Sequence, residues 1–156
     1  MKSTIYQAQD KFLKLINPLK LYQASPVERI RRIKQGVDAQ LMLYVIDSLG
    51  MPKQHFYKIL GLPIATMNRK VHKNEQLSIE QGERIFGIIK LIGQVQTMVN
   101  QSGESKGFNA AKWVANWINE PLSALGGKRP SDYMDTIEGQ ELVANLLARI
   151  QSGAYA

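Results

Sequence analysis

The chain has 156 residues, no cysteine and a formal net charge of +7. That length buries a real core as one domain, or as two small ones sharing an interface, and the missing thiol excludes disulfide frameworks and thiolate catalysis. The opening "MKSTIYQAQDKF" lacks the apolar stretch of a signal peptide. The longest apolar run, "LMLYVI" (Leu41 to Ile46), is far short of the roughly 20 residues that span a bilayer. A soluble cytoplasmic protein without a membrane partner is expected.

The charge is unevenly placed. Residues 1–76 hold 13 Lys/Arg against 5 Asp/Glu, and residues 77–156 hold 7 against 8, so +8 faces −1. A basic half joined to a nearly neutral half suggests two jobs, one of them facing a polyanion. A solvated basic surface is the bland alternative.

In chain order, residues 1–24 carry no assignable role. "SPVE" (Ser25 to Glu28) offers a capping box with Pro26 at the first helical position. "IDSLGMP" ends a helix at Gly50 and starts the next at Pro52. Two short helices follow in "MPKQHFYKILGLPIATMNRKVHKN" (Met51 to Asn74), joined by Gly61-Leu62-Pro63, a turn that would hold the second steeply against the first. Ile64, Met67 and Val71 form the second helix's inner stripe, which turns Ala65, Thr66, Arg69 and Lys73 outward, flanked by Lys70 and His72. Arginine pairs bidentately with guanine edges and lysine neutralises phosphates. Thr66, Asn68, Arg69, Lys70 and Lys73 are therefore the candidate DNA contacts, with an ordinary amphipathic helix as the alternative. In "RIRRIK" (Arg29 to Lys34), Arg31 and Lys34 share a side that could meet phosphate.

"LSIEQ" repeats the helix-start signal, with Ser78 as cap and Gln81 three residues on. From there Ile85, Ile88, Ile89, Ile92, Val95 and Val99 line one face, and Phe86, Leu91 and Met98 add apolar surface elsewhere. Such a helix is buried on several sides or paired with another chain, and a homodimer is expected from it. "QSGESKG" (101–107) reads as a linker between a DNA-binding domain at 25–100 and a second domain at 108–156. In the latter, Ala110, Trp113, Val114, Trp117 and Ile118 form one helical stripe. Leu142, Val143, Leu146, Leu147 and Ile150 form another, with Gly139 on the same stripe to let a backbone approach. Leu125-Gly126-Gly127 is a sharp reversal, Pro130 opens a short helix holding Tyr133 and Met134, and Thr136 caps the last helix. Gly-Gly-Lys here is no phosphate loop, because Arg129 and Pro130 follow where Ser/Thr is required. No alternating segment pairs with "LMLYVI", so the fold class is all-α.

Met51 to Asn74 resembles the Xre/Cro-type helix-turn-helix, with Gly61 at the tight turn and Tyr57 where a small residue is usual. The stretch from Phe108 to the C-terminus resembles the toxin-binding domain of Xre/MbcA/ParS-type antitoxins. The resemblance rests on Ala111, Trp113, Trp117, Asn119, Pro121, Leu125-Gly126-Gly127, Arg129-Pro130, Asp132, Thr136, Gly139, Val143, Leu146, Ile150 and Gly153. It implies an antitoxin of a type II toxin–antitoxin pair, whose partner would be a RES-type toxin acting on NAD. It also implies that the C-terminal segment, Arg149 to Ala156 with Gly153, Ala154 and Tyr155, covers the toxin's active site. The partners expected are thus the toxin and the protein's own operator DNA. A stand-alone repressor whose second half only dimerises is the competing reading.

Catalysis is not expected. His55 and His72 have neither cysteine nor HExxH-type spacing for a metal, and no nucleophile elbow joins Ser, His and Asp. Neither metal nor cofactor is called for.

Overall fold

The computed structural model describes residues 16–153. Helices dominate: α1 (Pro18–Gln23), α2 (Pro26–Gln35), α3 (Leu41–Leu49), α4 (Lys53–Ile59), α5 (Ile64–His72), α6 (Ile79–Ser102), α7 (Ala110–Trp117) and α8 (Ile137–Gln151). Two 3-10 turns, Ser123–Leu125 and Pro130–Tyr133, lie between α7 and α8. The fold is all-α apart from one feature the periodicity did not reveal. Val37–Asp38 pairs antiparallel with Gln76–Leu77, a two-residue clasp closing the segment that holds α3 to α5.

Local chemistry explains where the helices begin. Ser25 Oγ accepts from Glu28 N at 3.2 Å and Thr136 Oγ1 from Gly139 N at 2.9 Å. At Ser78 the box is complete: Ser78 Oγ accepts from Gln81 N, and Gln81 Oε1 accepts from Ser78 N at 2.9 Å. The box at Ser25 is only half formed. Glu28 turns instead to Arg31 and Arg32, and the Arg31 hydrogen bond holds its carboxyl below the usual range. Arg29 donates to the carbonyls of Leu21, Tyr22 and Ala24, closing the end of α1. Three of the four cations of "RIRRIK" are thus engaged within the chain.

α6 is the axis of the molecule. Ile85, Phe86, Ile88, Ile89, Leu91, Ile92 and Val95 are all buried, and α1, α2, α7 and α8 cover them. The apolar excess from which a dimer was expected is therefore satisfied largely inside the chain. Close approach is built in. A Cβ on Gly93 would collide with the carbonyl oxygen of Pro18, and one on Gly87 would strike the Gln140 amide. Gln140 and Gln94 are buried polar residues, and each is satisfied: Gln140 Nε2 donates to Arg84 O at 3.0 Å and Met134 O at 3.1 Å, Gln94 Nε2 to Ala144 O at 2.9 Å. With Gln151 meeting Gln101 at the far end, these pairs run α8 parallel to α6.

Several expected core positions differ. Trp113, Leu142, Ile150 and Ile64 are exposed, while Ala111 and Ala115 of α7 are buried. α7 rests on α6 and α3 through its Ala111/Val114/Ala115/Ile118 side, which turns Trp113 to the rim. There the Trp113 ring stacks on Trp117, centroids 5.7 Å apart and planes 16° off parallel. α7 and α8 each find α6 as their main support, rather than folding back chiefly on one another. The close approach foreseen at Gly139 comes from the upstream Tyr133 carbonyl.

Candidate functional site

The helix-turn-helix is assembled by α4, the turn at Gly61 and α5. Gly61 has φ 64°, a left-handed conformation that glycine takes without strain. Leu62 N donates to Tyr57 O at 2.8 Å across this turn. Tyr57 is wholly buried, its ring edge-on to Phe56. Burial raises the Tyr57 phenol's pKa, and its hydroxyl has no hydrogen-bond partner among the described residues.

On α5 only Met67 is fully buried. Ala65, Asn68, Arg69, His72 and Lys73 are exposed and Thr66 is half-buried, so the outward face contains the expected candidates. Arg69 lies 3.9 Å from Glu75, an exposed and weak ion pair. Lys70 departs from expectation. It is half-buried, and its Nζ donates to Gln81 Oε1 at 2.8 Å, which ties α5 to the start of α6. Gln81 therefore serves two purposes, cap and tether, and only the cap was visible in the sequence.

The second region turns on Leu125-Gly126-Gly127. Gly126 and Gly127 both have positive φ (64° and 84°), and Gly127 N donates to Leu122 O at 2.9 Å. Arg129 is exposed at the N-terminus of the 3-10 turn, where its backbone N–H donates to Asp132 Oδ2 at 2.9 Å. Pro130 is buried, and Ser131 N donates to Ile118 O at 2.8 Å, pinning the turn to the end of α7. Trp117 is buried, Trp113 at 37 % exposure is the edge of the pair, and half-buried Leu125 packs on the core. Arg149 lies exposed in the last turn of α8, and Gly153 ends that helix with φ 75°. Ala154, Tyr155 and Ala156 lie outside the described residues.

The two regions touch. Asn119 Nδ2 donates to Ala115 O at 2.7 Å, so its oxygen faces His55 at 2.9 Å, and His55 donates from Nε2. Around this contact, Lys58, Arg129, Ser131, Asp132 and Asp135 line a polar cleft of about 500 Å³. The sequence carried no sign of it, because its walls are more than 60 residues apart in the chain. Among the described residues no cluster of three or more His, Asp or Glu could hold a metal. No described helix is long and apolar enough to cross a membrane.

Comparison with known proteins accounts for both regions. Residues 28–90 match the antitoxin Xre-like helix-turn-helix domain, and residues 107–153 match the antitoxin Xre/MbcA/ParS C-terminal toxin-binding domain. The chain is 47 % identical over 136 residues to the Prs ADP-ribosylating antitoxin of a Sphingobium species, covering 87 % of this chain and 86 % of that protein. It is 24 % identical over 135 residues to the antitoxin Xre of Yersinia enterocolitica (84 % and 86 % covered). It is 20 % identical over 121 residues to the antitoxin Xre of Photorhabdus laumondii (78 % and 76 %). With its helix-turn-helix followed by a toxin-binding domain, the chain belongs to the Xre/MbcA/ParS family of antitoxins.

Proposed function

We propose that this antitoxin neutralises a RES-type, NAD-consuming toxin and represses its own promoter, working in the cytoplasm by binding rather than by catalysis. One observation carries the reading: a single chain holds both an antitoxin-type helix-turn-helix at 28–90 and a toxin-binding domain at 107–153. The division of labour follows the chain, residues 25–100 for DNA and 108–156 for toxin. The name of the Sphingobium relative contains ADP-ribosylation, a reaction that consumes NAD, and this agrees with the expected toxin chemistry.

On the DNA side, Thr66, Asn68, Arg69 and Lys73 enter the major groove from the exposed face of α5. Lys70 assists from behind by holding Gln81. A two-fold pair of such helices reads half-sites about 34 Å apart. The dimer that presents them uses a surface other than the buried faces of α6. Candidate contacts are the exposed apolar residues Val27, Ile30 and Ile79.

On the toxin side, Gly153 turns the chain out of α8, and the segment beyond it is the part that meets the toxin. Tyr155 and the terminal residues fill the space that NAD needs. Trp113, already stacked on Trp117, offers an aromatic anchor whose ordering costs little entropy.

The test is co-expression with the adjacent gene product, following growth and NAD. Deletion of Gly153 to Ala156 is expected to leave folding and promoter binding intact while weakening protection. Full protection by the truncated chain would rule out occlusion by the tail. A failure to co-purify with that product would remove the toxin-binding reading itself.

A further inference from the structure

α5 is held by polar tethers as much as by burial. It has a single fully buried residue, Met67, and Pro63 at its N-cap supplies no side-chain cap. A helix with so little burial does not fix its own angle by packing. Polar groups from neighbouring elements do this work. At the C-terminal end, Gln40 Nε2 donates to Val71 O at 2.8 Å and to Asn74 Oδ1 at 2.9 Å, where Asn74 adopts φ 53°. In the middle, Lys70 reaches Gln81. The turn that leads into the N-terminal end is held by Arg84.

Arg84 sits on α6. Its Nη1 donates to Gly61 O at 2.9 Å and approaches Leu60 O at 3.4 Å, the carbonyls that end α4 and form the turn. Its Nη2 donates to Glu80 Oε1 at 2.7 Å, one helical turn back, which aims the guanidinium. The side chain is only 21 % exposed. The same residue is where the toxin-binding region reaches α6, because Gln140 Nε2 donates to the Arg84 carbonyl. On that same side of the turn, a Cβ on Gly61 would lie 3.1 Å from that of Asp135 and 3.3 Å from Arg84 Nη1, so Asp135 and Arg84 together crowd the turn.

We propose that Arg84 is the positioning residue of the recognition helix: its forked guanidinium clamps the Gly61 turn and sets the angle at which α5 enters the groove. The proposal rests on α5 being the DNA-reading helix. Lysine is a poor replacement, since its single compact ammonium lacks the planar fork whose two nitrogens separately serve the carbonyls and the carboxylate.

The full-length protein is titrated with the duplex directly upstream of its own reading frame and with a scrambled duplex of equal length, across a range of salt. Arg84→Lys and Arg84→Gln are each expected to weaken promoter binding about tenfold, the size of a lost charge-assisted hydrogen bond. Affinity for the scrambled duplex and the salt slope should stay at the wild-type values. Glu80→Gln should weaken promoter binding by a smaller factor in the same direction. Amide hydrogen exchange is expected to quicken at Leu62 and Met67 in Arg84→Lys, with Val114 and Ile118 unchanged.

Promoter binding by Arg84→Lys equal to wild type would overturn the proposal, because charge alone would then suffice. A salt slope reduced by about 0.9 in Arg84→Gln would also overturn it, by revealing a direct phosphate contact. Equal acceleration of exchange in α7 would reduce Arg84 to a general stability role. Arg69→Ala with Lys73→Ala separates the two levels. If that variant binds the promoter normally, α5 is not the reader; if it loses the promoter while Arg84→Lys keeps it, only the positioning claim fails.

Discussion

α5 and α6 are neighbours in the chain and opposites in construction. α6 is buried on several sides, and three of its glycines let other groups approach its backbone closely. α5 buries one residue fully and keeps its polar face outside, held by Gln40, Lys70 and Arg84. A helix that keeps a polar face outside gives up burial, so its position is set by a few directional bonds. A helix that organises a core is set by shape. Substitutions in the two should therefore fail in different ways, core changes through stability and tether or face changes through binding.

The largest effect is expected in the core shared with the toxin-binding region. Trp117→Ala should cost roughly 3–5 kcal/mol by opening a cavity, read as a fall in melting temperature. Its partner Trp113 gives the contrast: Trp113→Ala should cost only about 1 kcal/mol, the worth of the stacking, yet weaken toxin binding. Equal losses of stability would show that the tryptophans act as one buried unit.

Next comes Gly93→Ala on α6. The new methyl meets the Pro18 carbonyl, a backbone atom that cannot simply swing away. Destabilisation of about 2–3 kcal/mol is expected from chemical denaturation. A neutral outcome would mean that α1 is free to shift, and the contrast between shape-held and bond-held helices would weaken.

On α5 the expectation reverses. Arg69→Ala with Lys73→Ala should leave the melting temperature nearly unchanged. Promoter affinity should fall by about 1–3 kcal/mol if Arg69 reads a base, with a shallower salt slope from the lost cations. A clear drop in stability would place these side chains in the fold rather than at an interface.

The smallest effect concerns Lys90 on α6, in a cleft of about 380 Å³ between α2 and α8. Desolvation lowers its pKa, Arg29 lowers it further, and Glu141 partly opposes them. A lysine depressed in the fold is penalised in full below its folded pKa. The penalty is relieved as pH rises through that value towards the ordinary lysine range. Lys90→Met should stabilise the protein near neutral pH by about 0.5 kcal/mol, a figure discounted for the water that still reaches the ammonium. It should also flatten the alkaline rise in stability. A destabilised variant would mean that Lys90 gains more from Glu141 than it loses to burial.

Helix starts and stops were determined by sequence alone at Ser25, Ser78, Thr136, Gly50, Gly61 and the Gly126-Gly127 reversal. Each is a contact or dihedral preference spanning about four residues, so the chain needs no distant partner to decide it. The apolar stripes were right in period but not in every member. Trp113, Leu142 and Ile150 lie outside, and Gln94 and Gln140 lie inside. Burial at a stripe's edge depends on which element arrives there, and a buried glutamine is tolerable only because Ala144, Arg84 and Met134 happen to offer carbonyls. The tethers of α5 were likewise decided only in three dimensions. Arg84 reaches the turn before it from 23 residues away and Gln40 reaches its last turn from 31, and no local pattern marks an arginine whose carbonyl partners arrive from another helix.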